Sequence, residues 1–184
     1  MVDDCKNVSD GIPHYYTSHN VRSHRMFRNG NYEQASNAFR RAGRDREAGI
    51  CDAYDLQEKA SLTSTTASET RIQAFVKAAK AFLGCAWSSP ARQVKERLTC
   101  YEAAGDCYKE AHDLKRAADN YQLAGKYDKA ALTYQDRGCI DEMMEVITRH
   151  KNSLNDTLHE QLMTDAKVHY FEVYFNGSLV SERL

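Results

Sequence analysis

Three stretches of this chain share one spacing: an aromatic residue or leucine, alanine at +3, a small residue at +4, an aromatic residue at +7 and glycine at +11. Offsets of 3, 4, 7 and 11 place these side chains on one face of a helix. The small residues let a neighbouring helix approach closely, and the glycine can adopt the left-handed conformation that ends a helix. The copies are Tyr32, Ala35, Ser36, Phe39 and Gly43; Leu114, Ala117, Ala118, Tyr121 and Gly125; and Tyr127, Ala130, Ala131, Tyr134 and Gly138.

Two partial copies extend the pattern. One consists of Phe75, Ala78, Ala79 and Phe82, with Ala86 in place of glycine, and the weaker one consists of Val94, Leu98, Tyr101 and Gly105. The five copies begin at intervals of 13 to 43 residues, so they do not follow a strict tetratricopeptide period. We therefore predict an all-α fold, a degenerate array of tetratricopeptide-like (TPR-like) helical hairpins that forms an α-solenoid. Folds of this kind mostly bind other proteins.

The composition agrees with a helical chain that acts outside the membrane. Only 9 glycines and 2 prolines occur in 184 residues, which suits helices. No apolar run approaches the roughly 18 residues that a membrane span needs. The net charge of −1 predicts no overall field towards nucleic acid or a membrane surface.

The six cysteines indicate free thiols in a reducing compartment. None belongs to a C-x-x-C pair, and Cys85, Cys100 and Cys107 lie in helical periodic runs, where a thiol behaves as a small hydrophobe. A zinc site formed by Cys100, Cys107 and His112 is the alternative, but thiolate sites usually have tighter paired spacing. We expect core thiols and an intracellular protein, cytoplasmic or nuclear.

The chain divides into three regions. Residues 1–21 form a polar leader that we expect to be poorly ordered, residues 22–175 form the repeat array, and residues 176–184 form a tail. Leu179, Val180 and Leu184 leave apolar groups in that tail without a helix to cover them. We therefore expect the array to continue in a longer protein, of which this chain is a fragment.

Turn-forming residues predict at least seven helices. The expected turns lie near Gly30, Gly43, Ser64, Ser88, Gly105, Gly125 and Gly138. Gly105 separates the helix after Pro90 from a short helix over residues 106–112. Ser89 is the predicted N-cap of the helix that Pro90 begins, and Thr66 with Glu69 forms a capping box for the helix before it. Asn176 and Gly177 end the last helix.

Motifs for catalysis are missing from the sequence. It contains no G-x-x-x-x-G-K-[ST] phosphate loop, no H-E-x-x-H metal motif and no G-x-S-x-G nucleophile motif. We therefore expect a chain that is not an enzyme and that needs no cofactor and no metal. Its partner is expected to be another protein, or another domain of the same parent chain.

A basic stretch keeps nucleic acid open as a second partner. Residues 22–46 contain seven arginines against two acidic residues. Arg40, Arg41 and Arg44 could contact phosphates. Alternatively, the arginines form the solvated face of two helices, since the aromatic residues nearby already belong to the packing pattern and leave no stacking platform for bases.

Two segments resemble a known family. MFRNGNYEQASNAFRRAGRDREAGICDAYDLQEKA (residues 26–60) and ERLTCYEAAGDCYKEAHDLKRAADNYQLAGKYDKAALTYQDRG (residues 96–138) resemble the helical-repeat region of large fungal proteins with a UvrD-like helicase domain. These are relatives of the tetratricopeptide-and-ankyrin-repeat-containing proteins. The A-x-x-Y-x-x-A-G style also occurs in SNAP adaptors and in clathrin and coatomer legs. The resemblance implies a repeat region that packs against the motor or binds a partner, while ATP hydrolysis belongs to a separate domain.

Overall fold

Nine α-helices make up the part of the chain that the structure describes, which contains no strand. The computed structural model describes the backbone of residues 18–63 and 68–181 and the side chains of residues 21–63 and 68–173. The helices are α1 (Ser18–Arg28), α2 (Tyr32–Arg41), α3 (Asp45–Leu62), α4 (Ser68–Ser88), α5 (Val94–Glu110), α6 (Leu114–Leu123), α7 (Tyr127–Asp136), α8 (Ile140–Arg149) and α9 (Asp156–Ser181), with a 3-10 turn (Lys151–Ser153) before α9. The predictions of an all-α class and of at least seven helices are confirmed.

Each helix packs mainly on the helix that precedes it and on the helix that follows it. Every extensive contact between helices in the described ranges joins neighbours in sequence, from α1 with α2 through to α8 with α9. The buried surface therefore lies between successive helices rather than around one central element.

Five helix ends share one hydrogen-bonding arrangement. After α6, the N–H of Gly125 donates to the carbonyl of Gln122 at 3.0 Å, and the N–H of Lys126 donates to the carbonyl of Tyr121 at 2.8 Å. This pair of bonds closes a helix when the residue after the C-cap is left-handed. The same bonds close α1, α2, α5 and α7. The left-handed residues are Gly30, Gly43, His112, Gly125 and Gly138, with φ between 59° and 77°.

Gly105 does not end a helix, so the predicted turn there and the separate helix over residues 106–112 are wrong. The residue lies inside α5, which continues to Glu110. A Cβ at this position would lie 2.7 Å from Cε1 of Tyr121 and 3.2 Å from the carbonyl oxygen of Ala117, both on α6. Gly105 thus permits the close approach of α6, and the helix ends at His112 instead.

Two further helix boundaries differ from the predictions. The Ser89 hydroxyl donates to the carbonyl of Cys85 at 2.8 Å, so it closes α4 and does not cap the next helix. Residues 89–93 form a turn, and α5 begins at Val94 with Gln93 as its N-cap. At the other end of the chain, α9 continues through Asn176 and Gly177 to Ser181.

The structure tests only parts of the predicted leader and of the loop near Ser64. Helix α1 begins at Ser18, inside the region expected to be poorly ordered. The rest of the leader lies outside the described residues. Helix α3 continues to Leu62, and residues 64–67 lie outside the described residues, with Thr66 of the expected capping box among them.

The core consists of two clusters that meet at Tyr54 of α3. One cluster joins α1, α2 and α3 to the facing ends of α4 and α5, and the other extends from α3 to α9. The Tyr54 ring contacts the rings of Phe27 at 5.2 Å and Phe82 at 4.9 Å between centroids. Among the repeat positions, Ala35, Phe39, Phe75, Ala78, Phe82, Ala117, Tyr121, Ala130 and Tyr134 are buried, and Tyr32, Leu114 and Tyr127 are partly buried.

Enlarging a buried alanine in this core is expected to destabilise the fold. Ala130 of α7 is completely buried, so Ala130→Leu forces three more carbons into a filled contact and lowers the free energy of unfolding by about 1–3 kcal/mol. Urea unfolding followed by helical circular dichroism measures the change. The control is Ala91→Leu, at an exposed turn position. An Ala130→Leu variant that unfolds like wild type would show that α7 tolerates a larger side chain at this contact.

Candidate interaction surface

Two of the three arginines proposed for phosphate contact already form ion pairs with carboxylates of α3. Arg40 forms an ion pair with Asp52 of α3. Arg44 lies 2.6 Å from Glu47, and its guanidinium stands over the Phe39 ring, 5.1 Å from the centroid. These contacts join α2 to α3, so both guanidinium groups already have partners within the protein.

Arg41, the third of these arginines, faces a cleft between α1 and α2. It forms no ion pair with any described residue, and it shares the cleft with Arg22 of α1. The cleft has a volume of about 810 Å³. Its lining residues are Arg22, Ser23, Met26, Gln34, Asn37, Ala38, Arg41 and Ala42. Arg41 therefore lines the cleft together with Arg22, whereas Arg40 and Arg44 form ion pairs with carboxylates of α3.

Arg46 belongs to a buried ion pair. Its Nη1 lies 2.6 Å from Oε2 of Glu96 on α5, and the Glu96 residue is 4% exposed. Neither oxygen of Glu96 forms a hydrogen bond with a described residue, so its contact with Arg46 is an ion pair without hydrogen-bond geometry. Burial raises the pKa of Glu96 above its ordinary value, although the Arg46 charge opposes the shift. Glu47 beside it behaves differently: burial would raise its pKa, but the hydrogen bond from Arg44 lowers it.

A polar network recurs along α5, α6 and α7. The Tyr121 hydroxyl donates to Asp106 at 2.8 Å, and Nζ of Lys129 lies 3.2 Å from the same carboxylate oxygen. Thirteen residues further along, the Tyr134 hydroxyl donates to Asp119 at 3.0 Å. Burial and this hydrogen bond raise the pKa of Tyr134 to about 12. Both hydroxyls therefore stay protonated near neutral pH and join neighbouring helices as hydrogen-bond donors. Such hydroxyls are unsuited to act as general bases.

The described cysteines are free thiols in apolar surroundings. Cys51, Cys85, Cys100 and Cys107 are buried. Burial raises the pKa of Cys85 to about 11 and that of each of the other three to about 12. Thiols of this kind remain protonated and unreactive near neutral pH. Within the described residues, no three His, Cys, Asp or Glu side chains come together in a group that could hold a metal ion.

One face of α4 carries an exposed indole and cations that the sequence reasoning did not single out. Trp87 is 73% exposed, the highest value among the described aromatic residues. Lys77, Lys80 and Gly84 precede it at helical spacing, and all are exposed. We name Lys77, Lys80, Gly84 and Trp87 the Trp87 face. The predicted turn near Ser88 puts Trp87 at a helix end, but nothing in the sequence shows that its side chain is exposed.

A charge count could have located this surface. Residues 70–101 contain six Lys and Arg against Glu96 alone among acidic residues. Residues 22–101 contain fourteen Lys and Arg against eight Asp and Glu, whereas residues 102–184 contain ten against fifteen. The net charge of −1 thus combines a positively charged region, residues 22–101, with a negatively charged region, residues 102–184.

Comparisons of this chain with protein-family models, with curated proteins and with solved structures find no match. No helix in the described part of the chain has the length and apolar character required to cross a membrane.

Proposed function

We propose that this chain is a non-catalytic, TPR-like α-solenoid that binds another protein, or another domain of the same parent chain, inside the cell. The observation that carries the proposal is the mainly sequential packing of the nine described helices, in which every extensive contact joins neighbours. The recurring helix end supports it, since left-handed residues follow at 13-residue intervals from Gly30 to Gly43 and from His112 through Gly125 to Gly138. Stacked units of this kind leave an extended surface for a partner.

The polar chemistry of the described residues is consistent with a binding role. The buried ionisable groups join helices to one another: Arg46 with Glu96, Tyr121 with Asp106 and Tyr134 with Asp119. An interaction module needs such contacts to hold its helices in register, and it leaves recognition to exposed side chains. The intracellular location rests on the buried free thiols, which survive in a reducing compartment.

Selection from a displayed library of random peptides tests the binding proposal. The folded chain is immobilised, bound peptides are sequenced, and each enriched family is synthesised and titrated. We expect at least one family that binds with a micromolar dissociation constant and loses binding when the chain is unfolded in urea. A selection whose peptides bind the unfolded chain equally well would refute a role in protein recognition.

A second candidate function is an accessory region of a UvrD-like helicase that contacts nucleic acid. The observation that favours it is a group of exposed arginines on α1 and α2 with no ion pair among the described residues: Arg22, Arg25, Arg28 and Arg41. Two of them, Arg22 and Arg41, share the cleft. Because Arg40 and Arg44 are engaged with carboxylates, any phosphate contact would come from these four instead.

Nucleic-acid affinity decides between the two candidates. We expect single-stranded and duplex oligonucleotides to bind no more tightly than the ~10⁻⁴ to 10⁻⁶ M typical of sequence-independent contacts at physiological salt. Fluorescence anisotropy over a salt series measures this affinity.

The variant Arg22→Glu/Arg41→Glu tests the cleft without breaking the ion pairs of Arg40 and Arg44. Its control is Lys151→Glu/Lys167→Glu, which reverses two exposed cations that form no ion pair within the described residues. Binding about a hundredfold tighter than the expected range, lost in the cleft variant and kept in the control, would favour the helicase-accessory function.

A further inference from the structure

We propose that the Trp87 face of α4, together with Arg92 and Lys95 at the same end of the α4–α5 hairpin, is the docking site for an acidic segment of a partner protein. An apolar side chain of that segment covers Trp87, and its carboxylates lie along the lysines. This inference rests on the proposed function and names the chemistry of the partner. It is carried by three observations: the exposure of Trp87, the open position at Gly84 and the unpaired cations.

Trp87 is the only tryptophan of the chain and has little role in the core. Its side chain lies on the last turn of α4 and is 73% exposed, whereas Phe75 and Phe82 of the same helix are buried. Tryptophan is among the residues that contribute most to protein interfaces when a partner covers them. Helix α4 therefore buries two of its aromatic side chains and leaves the indole of Trp87 uncovered, as an apolar surface on which a partner can pack.

Gly84 is a glycine that the described fold itself does not require. It lies in the interior of α4, one turn before Trp87, and its φ is not in the left-handed region. A Cβ built there meets no described atom within 4 Å. Since glycine weakens a helix relative to alanine, this position reduces stability without relieving any internal contact. It leaves the helix backbone open at this position to an approaching side chain.

Four cations near the end of the α4–α5 hairpin form no ion pair with any described residue. Lys77 and Lys80 lie on the same face of α4, roughly 15 and 10 Å from Trp87 along the helix axis. Arg92 lies in the turn after α4, and Lys95 lies in the first turn of α5. None of the four forms an ion pair with a described residue. Exposed cations on other helices do form them, for example Lys59 with Asp55 and Lys109 with Asp136.

The chemistry of this face fits an acidic protein segment better than a nucleic acid. Single-stranded nucleic acid is held by successive aromatic side chains that stack on successive bases. Only Trp87 offers a strongly exposed aromatic ring on α4, and Val94, 47% exposed, lies at the start of α5. The indole of Trp87 and the side chain of Val94 thus form a small apolar surface with lysines nearby. Such a surface suits a protein segment in which an apolar side chain has carboxylates on both sides.

Titration with a designed peptide tests the inference. The probe is a 15-residue peptide of alternating Asp and Glu around a central Leu-Phe pair, and the readout is the fluorescence of Trp87. We expect the peptide to shift the emission to the blue and to shield the indole from acrylamide quenching. Binding should weaken as salt is added, because the carboxylate–lysine attraction is screened. Replacing Leu-Phe with Ser-Ser, or the acidic residues with Lys, should remove the effect.

Three variants locate the site. Lys77→Glu/Lys80→Glu should weaken the peptide roughly tenfold, since like charges then face its carboxylates. The control Lys151→Glu/Lys167→Glu makes the same change in net charge elsewhere and should bind like wild type. Gly84→Ala should raise the midpoint of thermal unfolding and nevertheless weaken binding several-fold. That combination separates a blocked site from a damaged fold.

Four outcomes would overturn the inference. A single-stranded oligothymidine that binds more tightly than the peptide and depends on Lys77 and Lys80 would assign the face to nucleic acid. Concentration-dependent dimerisation in sedimentation velocity, lost in Lys77→Glu/Lys80→Glu, would assign it to a second copy. Peptide binding that is equal in all the variants would place the acidic segment elsewhere. Displayed peptides that bind with no dependence on the Trp87 face would refute this inference alone and leave the proposed function intact.

Discussion

Replacement of Arg46 with methionine is expected to lower the free energy of unfolding by about 3–5 kcal/mol, the usual cost of removing one partner from a buried ion pair. Glu96 is 4% exposed, and its Oε2 lies 2.6 Å from the Arg46 guanidinium. Neither carboxylate oxygen of Glu96 forms a hydrogen bond with a described residue, so the Arg46 charge is its main compensation. Methionine keeps much of the volume of arginine but removes the cation nearest to the buried carboxylate. Urea unfolding followed by circular dichroism measures the loss.

The pH dependence of this variant identifies Glu96 as the cause. Burial already raises the pKa of Glu96 in the folded wild-type chain, so the folded chain binds a proton at Glu96 more readily than the unfolded chain does. The stabilisation from such a group is complete below its unfolded pKa and is lost as the pH rises through its folded pKa. Without Arg46 the pKa rises further, so the deficit of the variant should be larger near pH 7 than near pH 5.

The matched control removes both charges. Arg46→Met/Glu96→Leu should recover most of the lost stability and should show no such pH dependence, because an apolar pair can replace a buried ion pair at little cost. A single variant that unfolds like wild type at both pH values would mean that water reaches Glu96 and that the pair contributes nothing.

Alanine substitution at two glycines is expected to have opposite effects. Gly105→Ala should lower the free energy of unfolding by roughly 3 kcal/mol, because the new Cβ would lie 2.7 Å from the Tyr121 ring and 3.2 Å from a backbone oxygen of α6. The ring cannot move aside easily: it is 2% exposed, and its hydroxyl is hydrogen-bonded to Asp106.

The same change in the open position at Gly84 is the control. Gly84→Ala meets no described atom within 4 Å and should raise the free energy of unfolding by about 0.5–1 kcal/mol, the helix preference of alanine over glycine. Both variants are compared in one urea series. Equal stabilisation of the two would show that α5 and α6 are not as close at Gly105 as the Tyr121 contact requires.

Helix packing was predictable from the sequence where the spacing repeats. The copies that begin at Tyr32, Leu114 and Tyr127 coincide with α2, α6 and α7, because positions at +3, +4 and +7 share a helix face whatever the rest of the fold does. The glycines that close these helices were predictable for a similar reason. A left-handed residue after a helix is a local requirement, and glycine meets it without strain.

Tertiary contacts decided the positions where the prediction failed. Gly105 occupies the same place in its copy as Gly125 does in another, yet it lies mid-helix, since the Tyr121 ring of α6 needs the space. His112 follows the end of α5 with a φ of 59°. Histidine adopts this conformation more often than most non-glycine residues, but the preference is too weak to mark a helix end. For the basic stretch, the sequence left phosphate contact and a solvated face of two helices as alternatives. It could not show that Asp52, Glu47 and Glu96 pair with Arg40, Arg44 and Arg46.

The sequence by itself determined the helical class, the recurring packing face and most helix ends, because these depend on the periodicity of a helix and on the backbone freedom of single residues. Only the tertiary structure decided which charges remain available and which aromatic ring is exposed. Ion pairs such as Arg46 with Glu96 join residues on α3 and α5, far apart in sequence, so composition cannot show them. The exposure of Trp87 likewise depends on which face of α4 its neighbours cover.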